Sequence, residues 1–103
     1  MQLRRTANAG FLLTLDGTTI AMDGVCLEVD PYQATSPAER AKLLAAPPDL
    51  LAYTHFHEDH LDPAFAAAFP GPILGTDQVA QLMPDQKVYC RPVTVGSLRV
   101  IPV

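Results

Sequence analysis

Asp49-Leu50-Leu51-Ala52-Tyr53-Thr54-His55-Phe56-His57-Glu58-Asp59-His60 joins a short apolar run to a cluster that holds every histidine of the chain. The run reads as a buried strand: it is short, apolar and preceded by Pro47-Pro48, which close the segment before it. The cluster runs His-x-His-x-Asp-His. Neutral imidazole nitrogen is the commonest protein metal ligand, and carboxylate oxygen often completes such sites. In an extended segment His55 and His57 point to one side, as two ligands of one ion should. Asp59 and His60 are adjacent at the start of a turn and are expected to diverge from that pair, a layout that suits two neighbouring metals. The chemistry expected is hydrolysis by a metal-activated water, with a nearby carboxylate orienting it.

Around this stretch the chain divides cleanly. Upstream, Gly10–Leu15 and Thr18–Met22 flank Asp16-Gly17, a strong hairpin signal because both turn residues tolerate positive φ. Val25–Val29 reads as a third short strand, closed by Asp30-Pro31. Ser36-Pro37-Ala38-Glu39 predicts a helix to about residue 45, with Ser36 as cap and Glu39 completing a capping box. Downstream, Asp62-Pro63 starts a helix with Phe65 and Phe69 on one face, and Pro70-Gly71-Pro72 stops it. Asp62 is read as that helix's cap, not as a ligand. Ile73-Leu74 is a brief strand, and Thr76 caps a helix over Asp77–Met83. Strands follow at Lys87–Cys90, Val93–Val95 and Leu98–Val103, with a turn at Gly96-Ser97. Strands first, then helix and strand in alternation, predict an α/β sheet with its helices on one face.

Composition narrows the function classes. Hydrophobic residues make up 49% of the 103, which predicts one folded domain over 1–103 and excludes a disordered chain. The net charge is -4 and the basic residues are scattered, so no electrostatic footprint for nucleic acid or an anionic membrane exists. Ala9–Leu15 is far short of the ~20 apolar residues a spanning helix needs, and the chain is expected to be cytoplasmic. Cys26 and Cys90 are the only cysteines and are read as free thiols. Glu58 is expected to face solvent, and Tyr53 and Phe56 to pack. Asp23 ends an apolar strand before Gly24. It reads first as a turn residue, with support of the histidine loop as the sharper reading.

Thr54-His55-Phe56-His57-Glu58-Asp59-His60 resembles the T-H-x-H-x-D-H motif of the metallo-β-lactamase superfamily. Asn8-Ala9-Gly10-Phe11-Leu12-Leu13 and Ile20-Ala21-Met22-Asp23 look like that family's opening hairpin and strand-end aspartate. The nearest subgroup is the ascorbate-6-phosphate lactonase-like hydrolases. The resemblance implies one αβ half of an αββα sandwich, with a mixed, mostly antiparallel sheet. It implies that His55 and His57 bind a first metal and that Asp59 and His60 bind a second. Asp59 would also position the nucleophilic water, and Asp23 would support the loop. Two zinc ions are the implied cofactors, with manganese or iron as substitutes; the small-molecule substrate is not specified.

No histidine follows His60, so the implied ligand set is partial. The run Val100-Ile101-Pro102-Val103 ends the chain inside an apolar segment, the mark of a partial domain or of an edge covered by a partner. The expected partner is a complementing second half or a second copy in a homodimer. The alternative function is a non-enzymatic metal-binding or interaction module.

Overall fold

The computed structural model describes residues 1–102. Six strands form one sheet in sequential order: β1 (Gln2–Arg5), β2 (Phe11–Leu15), β3 (Thr18–Met22), β4 (Leu50–Ala52), β5 (Ile73–Leu74) and β6 (Val88–Tyr89). β1, β2 and β3 pair antiparallel. Asp16 and Gly17 between β2 and β3 both take positive φ, as that tight turn requires. From β3 onward each pairing is parallel. The connections carry helices α1 (Pro37–Ala45), α2 (Pro63–Ala68) and α3 (Asp77–Leu82), because parallel neighbours need a crossover. The sheet is therefore mixed, as expected: its antiparallel part is the longer-paired β1–β3, and its parallel part is the run of short strands from β3 to β6. The alternation of helix and strand after residue 36 is what forces this.

Right-handed crossovers place successive helices on one face, and the packing agrees. Leu43 of α1, Phe65 and Ala66 of α2, and Val79 of α3 share one core with Leu51, Tyr53 and Ile73 of the sheet side. The opposite face carries the alternate residues Ile20, Leu50, Ala52 and Leu74. A separate hairpin, β7 (Val93–Val95) with β8 (Leu98–Val100), lies over them through Val93, Val95, Leu98 and Val100. Gly96 turns this hairpin at φ 55°, and a side chain there would collide with Thr18, whose Oγ1 lies 2.2 Å from the Cβ position.

That hairpin covers only part of its face. Cross-strand partners run Leu3–Leu13–Ile20–Leu50 along one row and Phe11–Met22–Ala52–Leu74 along the next. Ile20, Leu50, Ala52 and Leu74 are buried, whereas Leu3 is 61% exposed and Phe11 and Met22 are 39% and 38% exposed. The sheet thus keeps an apolar, uncovered half over β1 and β2.

Several expectations need adjustment. β1 was not read from the sequence. Residues 25–29 form no strand: Val25 and Cys26 are buried in a loop, with one isolated bridge between Val29 and Tyr32. Thr35 holds that loop by accepting from the Cys26 N–H at 2.9 Å. The last strand ends at Val100; Val103, expected within it, lies outside the described residues. Both cysteines are free. Among the described residues no helix is long and apolar enough to cross a membrane.

Candidate metal centre

β4 ends at Ala52, and Tyr53 still donates its N–H to Leu74 O at 2.8 Å. The histidine loop therefore leaves the carboxyl end of a central parallel strand, where ligand sites of open α/β sheets gather. The loop turns at once: the N–H groups of His60 and Leu61 both donate to His57 O, at 2.9 and 3.0 Å. Asp62 then caps α2, accepting from the Ala64 and Phe65 N–H groups at 3.0 and 3.4 Å. Arg40 of α1 donates to the same carboxylate. Two further bonds strap the loop to residues 25–27: Leu27 N–H to Glu58 O at 2.8 Å, and Asp62 N–H to Val25 O at 3.1 Å.

His55 and His57 do point to one side. His55 Nε2 lies 2.7 Å from His57 Nδ1, so one ring donates and the other accepts. Two nitrogens on one tetrahedral zinc ion lie about 3.3 Å apart, given Zn–N bonds near 2.0 Å. The observed 2.7 Å is a hydrogen-bond distance about 0.6 Å inside that separation, so the rings converge but would have to part slightly, with loss of the shared proton, to hold one ion.

His60 lies beside this pair: the turn brings its ring to 5.2 Å from that of His55, centroid to centroid. Its Nδ1 is 3.1 Å from Asp23 Oδ2. A proton on Nδ1 donated to this carboxylate leaves the Nε2 lone pair free, the arrangement that orients a ligating imidazole. Nε2 in turn lies 3.6 Å from Asp59 Oδ2. Glu58 is exposed, Tyr53 is in the core, and Phe56 packs at its margin.

Asp23 is the centre of the support. It is 4% exposed and adopts φ 49° at the end of β3. Its carboxylate accepts from the Thr54 N–H at 2.9 Å, from the Thr54 hydroxyl, and from His60. The turn-residue and loop-support readings both hold. Gly10 makes this position possible: a Cβ there would lie 2.1 Å from the Asp23 carbonyl oxygen. Beneath the loop, burial first, and then the charges of Asp23 and Asp62, push the Tyr53 phenol well above its ordinary value. Tyr53 is thus a neutral packing group.

The donor chemistry fits a divalent ion, but the count is short. Among the described residues no group of three His, Cys, Asp or Glu side chains is arranged to hold a metal. His55 with His57 forms one converging pair, and Asp59 with His60 a looser one.

No protein-family model matches the chain, and no curated protein matches it. The chain is similar to a solved structure, that of isothiocyanate hydrolase from Delia radicum gut bacteria. The identity is 23% and the TM-score 0.65, over 92% of this chain and 44% of that one. The chain thus spans less than half the length of the protein it matches. At this identity the likeness shows a shared fold. The resemblance to the metallo-β-lactamase superfamily, lactonase-like subgroup included, is corrected on these findings. No family model carries it, and the structure that does match is that of an isothiocyanate hydrolase.

Proposed function

We propose that this chain is part of a metal-dependent hydrolase, with His55, His57, Asp59 and His60 as its share of the metal ligands. The carrying observation is the 2.7 Å approach of His55 Nε2 to His57 Nδ1, beside a His60 whose Nδ1 faces Asp23. Second support comes from the fold shared with isothiocyanate hydrolase. Zinc is the ion such nitrogen and carboxylate donors take first, with manganese or iron as substitutes. When bound, it supplies Lewis-acid activation of water for hydrolysis. Asp59, 3.6 Å from His60 Nε2, would be the carboxylate that orients that water and accepts its proton. Thr54 and Asp23 keep the loop in register. The uncovered half of the sheet is where a second αβ layer packs, in a partner chain or a second copy, bringing further ligands.

A second reading rests on the same imidazole pair: a non-enzymatic metal-binding or interaction module, which needs ligands for an ion but no open position for water. Calorimetric titration with zinc, manganese and ferrous iron tests both, alongside assays on ester, lactone and isothiocyanate panels. Stoichiometric uptake lost in His55→Ala and His57→Ala is the expected result, with zinc-dependent turnover once the second layer is supplied. Uptake without turnover in that completed assembly selects the second reading. No uptake of any of the three ions sinks both.

A further inference from the structure

The cluster borders a cavity of about 500 Å³, within the range of small-molecule sites. Its wall is apolar: Leu27, Val29, Phe56, Leu61, Pro63 and Leu82. Its polar margin is His57, Glu58 and Asp59, so one side of the cavity is the candidate metal loop itself. Among the described residues no lysine or arginine lines it. The basic side chains are engaged or placed elsewhere: Arg4 pairs with Glu39 and Arg40 with Asp62. Arg5 lines a separate cavity beside Tyr32 and Ser36, and Lys87 and Arg91 line another beside Phe69. A second apolar cavity, lined by Met22, Leu74 and Ile101, touches the histidine loop only through Thr54.

In the metal-free chain, two carboxylates at the margin and no cationic side chain among the described residues of the wall disfavour an anionic ligand, and a bound ion would supply the site's positive charge at the loop, not along the wall. The apolar wall gains by covering a hydrophobic body. We propose that this cavity binds an uncharged, apolar small molecule, of which a neutral aryl ester is the model. The body lies against Leu27, Phe56 and Leu82, and the ester group lies at His57 and Asp59. This specifies the substrate class and rests on the hydrolase reading. The wall offers no lysine or arginine among the described residues to anchor a phosphate or carboxylate away from the metal loop.

Methyl benzoate and benzoate are probes of nearly equal size that differ in charge. Amide shifts are followed by NMR on the metal-stripped protein, because benzoate can itself ligate a bound ion. Methyl benzoate is expected to shift Leu27, Phe56 and Leu82, and to bind roughly tenfold or more tightly than benzoate. Leu82, 48% exposed on α3, tolerates a polar substitution. Leu82→Asp and Leu82→Ser are expected to weaken methyl benzoate about tenfold. Ile101→Asp, in the other apolar cavity and at a residue 58% exposed, is expected to leave it unchanged. Benzoate binding equally well, shifts mapping to Met22 and Ile101, or no saturable binding would each overturn the proposal. The His55→Ala variant separates the two readings. If the chain takes up no metal, ester binding in both wild type and His55→Ala still stands or falls alone.

Discussion

Asp23 holds more of the site than any residue inside the motif. It receives Thr54 twice and His60 once, so one buried carboxylate sets both ends of the histidine loop. Asp23→Asn keeps an acceptor for the Thr54 N–H but removes the charge that orients His60. The expected result is a ten- to hundredfold loss of zinc affinity in calorimetry, with the far-ultraviolet spectrum unchanged. Equal affinity in wild type and variant would mean that His60 needs no such support. The histidines were legible from sequence because their relation is local: residues two apart in an extended loop share a side. The orientation of the His60 ring was not legible, because it depends on a carboxylate 37 positions away. No spacing rule reports that distance. The one local hint was an aspartate before a glycine at a strand end, where positive φ is tolerated.

The helices were the most legible elements, because their caps are written beside them. Ser36, Asp62 and Thr76 all accept N–H groups of their first turns. Glu39 is the exception: its carboxylate leaves the capping box for Arg4 and Lys42, a tertiary choice the local pattern does not encode. β1 went unread because Gln2–Arg5 carries little apolar signal and is fixed by pairing with β2. The caps also differ in weight. Ser36 is exposed, whereas Asp62 is 4% exposed and bonded to Arg40 as well as to α2. Ser36→Ala is expected to cost about 1 kcal/mol. Asp62→Ala is expected to cost roughly 2–4 kcal/mol, since it loses the cap and a charge-assisted bond together. Urea denaturation of the two variants checks the order, and a larger cost for Ser36→Ala would refute this account of how α1 is tied to the loop.

The two faces of the sheet explain why the chain reads as both folded and unfinished. On the helix face, three crossovers bury Leu51, Tyr53 and Ile73 completely enough to fix the strand order. On the other, the β7–β8 hairpin covers Leu50, Ala52 and Leu74 and stops short of Leu3, Leu13, Phe11 and Met22. The same cross-strand rows pass from buried to open, so the gap lies in the covering layer and not in the sheet. Sequence patterning could not show this, because alternation marks which residues share a face but not what lies over it. Contiguous exposed apolar surface of this kind tends to be covered by association. Two copies stacked through this face would bury both open rows by an isologous contact. Light scattering at tens of micromolar is therefore expected to show dimers. The double variant Leu3→Glu with Phe11→Glu, which places like charges in the contact, is expected to shift the protein to monomer without lowering its melting temperature. A monomeric wild type would remove self-association as the cover for this face.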